Sequence, residues 1–220
     1  MLVFYGDPNG EYGELFTFIE VNGLANIEGI FLLGDLCAPF PLEELLGPEI
    51  AEKTWFFPGE RDSEQQEWME NLVAMWDRNL HAKIVEAGGY RVAGLGGVFR
   101  DEVWHPAKGT RWESRSQLQE HTPPRAKFHN WLPLRHWASI FLEDYERLLG
   151  LGKADILLSH EAPSCHWQGF AEVDELGSML QAQWIIHGHQ HISYLGHIFQ
   201  DNNSSIQVVG LARQDIHIVV

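Results

Sequence analysis

Long apolar runs are missing from this sequence. None approaches the ~20 residues that a bilayer-spanning helix needs, so no such helix is expected. Cysteine is scarce: Cys37 and Cys165 are the two present, too few for a disulfide framework and without a CxxC pair. They suit a reducing interior. The N-terminus, Met-Leu-Val-Phe-Tyr-Gly-Asp, has no basic segment ahead of an apolar one, so a secretory signal is not expected either. These absences together predict a cytoplasmic protein. Positive charge is in short supply, with 15 Lys and Arg against 31 Asp and Glu and a formal net charge of −16. That balance argues against a general binder of nucleic acid or of anionic membranes, which hold phosphate with cationic surface. Repeats, low-complexity tracts and long linkers are also lacking. The 220 residues, 45% of them hydrophobic, are read as one domain, residues 1–220, with one sizeable core.

The charge that exists is unevenly spread. Between Arg91 and Arg135 lie eight of the 15 basic residues and four acids (Asp101, Glu102, Glu113, Glu120), a local +4 that leaves −20 for the remainder. Either this stretch is a solvated loop face, or it is a basic patch that draws an anionic substrate to an acidic protein. Within it Trp104, Trp112 and Trp131 are interleaved with Arg100, Lys108, Arg111, Arg115 and Arg125. Such a mixture suits stacking on a base while holding a phosphate, or the anchoring of a long loop.

Short apolar runs alternate with amphipathic stretches, the pattern of an α/β domain. Strands are expected at Leu2–Tyr5, Gly29–Leu33, Trp55–Phe57, Lys83–Ala87, Tyr90–Leu95, Ala154–Leu158, Trp184–Ile186, Ile192–Phe199, Ile206–Leu211 and Ile216–Val220. Helices are expected at Glu14–Val21, at Leu42–Lys53 with a break at Gly47-Pro48, and at Ser63–Asp77. The last of these has Ser63 as N-cap and Trp68, Leu72, Met75 and Trp76 at helical spacing. Two more are expected at Trp137–Leu149, stopped by Gly150 and Gly152, and at Val173–Gln183. Residues 100–129 read as an irregular basic and aromatic insert.

Five apolar strands end abruptly in residues able to bind a metal or a phosphate: Asp7, Asp35, Glu60 with Arg61, His160, and His189 with His191. In open α/β sheets the loops at the carboxyl ends of strands converge on one rigid edge and form ligand sites there. One Gly-Asp after a strand is ordinary turn chemistry; five such endings are hard to obtain that way. The segments Gly6-Asp7-Pro8-Asn9-Gly10, Gly34-Asp35-Leu36, Gly59-Glu60-Arg61-Asp62, Leu158-Ser159-His160-Glu161-Ala162-Pro163 and Gly188-His189-Gln190-His191 occur in that order. The ordered set resembles the calcineurin-like metallophosphoesterase family.

The resemblance implies a four-layer α/β fold, a two-sheet β-sandwich flanked by helices, with two divalent ions at one end of the sheets. Carried over by position, Asp7, Asn9, Asp35 and His191 would hold one ion, and Asp35, Glu60, His160 and His189 the other, with Asp35 bridging. Such a pair of ions, ~3.5–4 Å apart, can share a hydroxide and neutralise an attacked phosphoryl group. Three positions depart from the family pattern. Asn9 stands where the family has His, and Glu60 where it has Asn. The resulting oxygen-rich shells favour Mn2+, with Mg2+, Fe, Zn2+ or Ni2+ as other choices. Arg61 stands where the family has the histidine that contacts substrate phosphate. Arginine does not give up its proton near neutral pH, yet it clamps phosphate well, and Asp62 is expected to orient it by an ion pair.

The function so implied is hydrolysis of a small soluble phosphate ester or nucleotide by a metal-bridging hydroxide. Arg61 and Asp62 would act at the substrate, and His105, His121 or His129 could supply a general acid from the insert. A metal- or phosphate-binding interaction module on the same fold is the alternative, and Arg61 is the residue that raises it. Glu161 is read as a carboxylate behind the site or at the surface, and Cys37 as a small buried residue.

Overall fold

Side-chain alternation sorts each inner strand between two cores. In β1 (Leu2–Tyr5) all four residues are buried; Val3 and Tyr5 face one way, Leu2 and Phe4 the other. The same holds in β2 (Gly29–Leu33), where Ile30 and Leu32 oppose Phe31 and Leu33. A strand buried on both faces reads as a continuous apolar run, which is why both are plain in the sequence.

The computed structural model describes residues 1–200 and 204–220. Its first sheet has the order β12-β1-β2-β3, with β3 at Thr54–Phe57 and β12 at Ile216–Val219. β1, β2 and β3 run parallel, and β12 pairs antiparallel with β1. The second sheet has the order β10-β11-β9-β8-β5-β4. Its strands are β4 (Lys83–Ala87), β5 (Tyr90–Leu95), β8 (Ile156–Ser159), β9 (Trp184–His187), β10 (Tyr194–Phe199) and β11 (Ser205–Gly210). Its centre is parallel and its two edge strands, β4 and β10, are antiparallel to their neighbours.

Leu2, Phe4, Phe31, Leu33 and Phe57 of the first sheet meet Val92, Ile156, Leu158 and Ile186 of the second in a shared layer. Phe4 and Phe31 stack there with ring centroids 5.2 Å apart. Truncating Phe31 to Ala would cost about 3–5 kcal/mol, lost transfer energy plus a cavity. The outer face of the first sheet packs on Leu15 and Ile19 of α1 (Gly13–Asn22), Leu42 and Leu46 of α2 (Leu42–Leu46), Ala51 of α3 (Pro48–Lys53), and Met69 and Leu72 of α4 (Gln66–Val73). The outer face of the second packs on Leu118 of α5 (Arg115–His121), Tyr145 and Leu148 of α6 (Leu142–Leu151), and Val173 and Leu176 of α7 (Ala171–Met179). The result is a mixed α/β fold in which two large sheets lie between helices.

Several elements differ from expectation, each for a tertiary reason. The helix expected over Ser63–Asp77 is a 3-10 turn at Arg61–Ser63, then α4, then a second turn at Trp76–Arg78. Ser63 is no N-cap, because its hydroxyl donates to the Glu60 carbonyl at 2.8 Å. The helix expected over Trp137–Leu149 is broken at Ser139–Phe141, where the Val98 N–H donates to the Ala138 carbonyl and the Val98 carbonyl accepts the Ile140 N–H, both at 3.0 Å. It restarts as α6, and the Asp144 carboxylate accepts the Phe141 N–H at 2.8 Å. The insert is not irregular throughout: it holds a small hairpin of β6 (Trp104–His105) and β7 (Gly109–Thr110), and α5, whose N-cap Ser114 accepts from the Gln117 N–H at 3.2 Å. α7 ends at Met179, short of the expected Gln183, and β10 begins at Tyr194 rather than Ile192.

Candidate metal centre

Asp7 follows β1, Asp35 follows β2, His160 follows β8 and His189 follows β9, so two sheets deliver their carboxyl ends to one place. Asp35, His160 and His189 offer ligand atoms that all lie within 4.8 Å of one another, and Asp7, Asp35 and His191 do the same. Asp35 belongs to both groups. The backbone is shaped for this convergence. Asp7, Asn9, Asp35, His189 and His191 all have positive φ (38°, 50°, 48°, 67° and 54°), a conformation that costs about 1 kcal/mol or more and collects at functional sites. At Gly34, itself at φ +85°, a Cβ would lie 2.3 Å from His160 Nδ1. At Gly59 it would lie 2.4 Å from Asp35 Oδ1. Glycine there lets the two strand ends touch the ligands.

Each ligand is oriented from behind. His160, wholly buried, has Nδ1 2.8 Å from the Leu33 carbonyl. A carbonyl only accepts, so Nδ1 carries the proton and Nε2 is turned to the centre, 3.4 Å from Asp35 Oδ1. Asp35 Oδ1 accepts the Arg61 N–H, and Asp7 Oδ2 the His189 N–H, both at 2.8 Å. What remains faces inward. Asp7 Oδ1, His160 Nε2 and His191 Nε2 are buried and make no hydrogen bond, although buried polar atoms are nearly always satisfied.

The electrostatics have the same shape. Burial pushes the Asp7 carboxyl up to about 7, with the charge of Asp35 adding and that of His160 opposing. Burial acts on Asp35 too, but the charge of His160 at 3.4 Å and the Arg61 N–H outweigh it and hold Asp35 at about 2. His160 is lowered by burial and raised more by Asp35 and Asp7, to about 10. His189 falls to about 3, through burial and the charge of His160. Its imidazole is therefore neutral at pH 7, as a ligand must be.

The three residues that depart from the family pattern are tied to one another or to the insert. Arg61 Nη1 donates to Asn9 Oδ1, and the guanidinium lies 5.7 Å over the Trp68 ring. The Asn9 side-chain carbonyl is thus taken by Arg61. Glu60 Oε1 is 3.1 Å from Arg100 Nη1, so its negative charge has a partner. The expected ion pair between Asp62 and Arg61 does not form. The wholly buried Asp62 carboxylate instead accepts the N–H groups of Leu36 (3.1 Å), Cys37 (2.7 Å) and Gly59 (2.8 Å). It buckles the loop after β2 to the loop after β3, and its place is structural.

Of the two places open to Glu161, behind the site or at the surface, the structure takes the first, and Arg100 gains weight that the sequence did not assign it. Glu161 is buried, accepts the Phe99 N–H at 3.1 Å, and brings Oε2 within 3.9 Å of His189 Nε2. The preceding His160 was the signal available for it. Arg100, at 6% exposure, is the basic residue of the insert that reaches the centre. The insert's histidines do not reach it: His129 pairs with Glu70, His121 donates to the Gln117 carbonyl, and His105 accepts from the Ala107 N–H. Trp104 is a core anchor, packed between Phe99 and Tyr145.

No family model matches the chain. It is similar to a crystal structure at a TM-score of 0.55 and 15% identity, covering 96% of this chain and 90% of that one, a likeness of fold alone. A crystal structure of a hypothetical protein from Thermus thermophilus matches at a TM-score of 0.49 and 14% identity, over 96% of this chain and 75% of that one. An uncharacterized protein of Haemophilus influenzae is 32% identical over 202 residues, 88% of this chain and 84% of its own length. The chain belongs to the family of that uncharacterized Haemophilus influenzae protein.

Proposed function

We propose that this chain is a metal-dependent phosphoric ester hydrolase of the calcineurin-like metallophosphoesterase type, on that family's four-layer fold, acting on a small phosphate ester or nucleotide. The reading is carried by the inward-facing atoms without partners: Asp7 Oδ1, His160 Nε2 and His191 Nε2 surround a space that a cation, and no side chain, would satisfy. Asp7, Asp35 and His191 would hold one divalent ion, and Asp35, His160 and His189 the other. Mixed carboxylate oxygen and imidazole donors accommodate Mn2+, and Fe, Zn2+ or Ni2+ as well. When bound, two such ions supply Lewis-acid polarisation of a phosphoryl group and a nucleophile from water at neutral pH.

The chain's own residues supply the rest. Arg61 is a fixed cation, pinned by Asn9 and the Trp68 ring, and suits a substrate phosphate oxygen. It holds charge and moves no proton. Arg100 adds a second, nearly buried cation and keeps Glu60 from competing with substrate. Glu161 stands behind His189. Asp62 keeps Asp35 and Glu60 in register by tying their loops.

Metal content and turnover test the proposal together. Purified protein incubated with Mn2+ and desalted is expected to retain two equivalents and to hydrolyse bis-p-nitrophenyl or p-nitrophenyl phosphate. Asp35→Asn is expected to lose both ions and the activity. A folded Asp35→Asn protein that turned over at the native rate would sink the mechanism. One observation favours a second reading, binding without turnover: Arg61, which gives up no proton near neutral pH, stands where the resembled family has a histidine. Two equivalents of Mn2+ and tight phosphate binding with no hydrolysis of either ester would establish it.

A further inference from the structure

A cavity of about 360 Å³ lies where the segment before β4, the residues before the break at Ser139 and α6 meet, and it shares no residue with the metal centre. Its volume is in the range of small-molecule sites. One wall is tryptophan. Trp76 and Trp137 meet edge to face at 5.2 Å, and Trp137 is fixed by its indole N–H on the Leu132 carbonyl at 3.3 Å. Trp131 also lines the cavity, is half-buried, and has no aromatic partner among the described residues. Part of it packs on the outer core of the second sheet, and the part that lines the cavity can meet a ring.

The floor is a closed ionic network. Asp144 accepts from Arg115 and lies 3.1 Å from His81 Nε2. Burial would raise its carboxyl, but those two partners outweigh burial and hold it well below the ordinary range. His81 Nδ1 is buried and has no hydrogen-bond partner, one polar atom left for a ligand. Lys83 and Arg147 also line the cavity. Lys83 Nζ reaches the Asp77 carbonyl at 3.4 Å, and Arg147 has no hydrogen bond or ion pair among the described residues. The lysine is lowered first by burial and then by the charge of Arg147, with Asp77 opposing. Two cations thus line the cavity beside an aromatic wall, Lys83 half-buried and Arg147 exposed, and neither has a salt bridge to a carboxylate among the described residues.

We propose that this cavity binds a planar aromatic anion of the size of a nucleoside monophosphate, its ring on Trp131 and its phosphate between Lys83 and Arg147. A bare anion has no use for three indoles, and an uncharged aromatic would leave the half-buried Lys83 and its neighbour Arg147 without a counter-charge. Stacking and phosphate neutralisation together use every wall. The proposal does not rest on catalysis at the metal centre.

Adenosine monophosphate, adenosine and inorganic phosphate are titrated separately into the Asp35→Asn protein in EDTA, with heat and tryptophan fluorescence as readouts. The nucleotide is expected to saturate one site at least tenfold more tightly than either fragment. Lys83→Ala with Arg147→Ala should weaken the nucleotide about tenfold and leave adenosine unchanged. Trp131→Ala should weaken nucleotide and adenosine alike, by about tenfold. If Trp131→Ala does not melt cooperatively, the Trp131 indole N–H resonance of the parent protein replaces it, and must shift with nucleotide but not with phosphate. Absence of saturation, phosphate binding as tight as nucleotide binding, or affinities unmoved by the rim and wall changes would each overturn the assignment.

Discussion

Arg100 Nη1 meets Glu60 Oε1 at 3.1 Å, the guanidinium 6% and the carboxylate 41% exposed. The pair straddles the boundary between protein and solvent, so water can replace Arg100 around Glu60 but not Glu60 around Arg100. Its coupling is therefore modest, about 1 kcal/mol, while the loss of Arg100 alone costs more in packing. A double-mutant cycle of Glu60→Gln and Arg100→Met, read by chemical denaturation, is expected to show that coupling. Additive effects would mean that the two side chains are merely adjacent.

Ion binding is expected to release protons. His160 is raised to about 10 by Asp35 and Asp7 against its burial, so its imidazole is charged at pH 7, and a cation requires the Nε2 lone pair. Mn2+ affinity should rise from pH 6 to pH 8. Calorimetry in buffers of different ionisation enthalpy should show one to two protons leaving per protein at pH 7, about one from His160 and about half of one from Asp7, which titrates at about 7. An affinity independent of pH and of buffer would contradict this.

Leaving groups should matter unusually. Arg61 does not protonate a departing oxygen, so hydrolysis of aryl phosphates should fall steeply as the pKa of the phenol rises. Arg61→His should flatten that dependence, gaining most on phenyl phosphate and least on p-nitrophenyl phosphate. The same slope in both proteins would place the proton source elsewhere.

Asp62→Asn tests the buckle between loops. Asp62 Oδ2 accepts two N–H groups and Oδ1 a third. An amide can serve the first pair but sets its own N–H against the Cys37 N–H, a cost of about 1–3 kcal/mol. A fall in melting temperature together with weaker Mn2+ retention is the expected result. Weaker retention with unchanged stability would give Asp62 a direct part at the centre instead.

The acid limb of stability should depend on Asp144. Its folded carboxyl titrates below the ordinary 3.8, with burial outweighed by the charges of His81 and Arg115. Below that value the unfolded chain binds a proton that the folded one resists. Stability from this group is therefore complete above about pH 4 and drains away as pH falls further. Urea midpoints from pH 5 to pH 2.5 should decline less steeply in Asp144→Asn, from a lower starting point; parallel curves would exclude the linkage.

What was legible follows from how local each cause is. β1 and β2 could be read to the residue because both faces of each strand are buried, so the whole run is apolar. Asp7, Asp35, His160 and His189 were conspicuous because each follows such a run. The work of Asp62 could not be read: its partners Leu36 and Cys37 are backbone groups about 25 positions away, and the carboxylate is chemically the same wherever it points. Arg100 was one cation among eight in its stretch until folding set it against Glu60. The continuous helix expected at Trp137–Leu149 failed for the same reason, since its periodicity is genuine but Val98, from a distant strand exit, competes for its backbone.

The pairing of β12 with β1 has a consequence in the order of synthesis. Leu2–Tyr5 leaves the ribosome well before its antiparallel partner Ile216–Val219. Until then the strand that carries Asp7 is an open edge, able to pair with another chain. The acid that would help to hold an ion is thus positioned early but braced late. Loading of an ion would then follow synthesis of Ile216–Val219, and a nascent chain stalled just short of Ile216 should be the species most prone to aggregate.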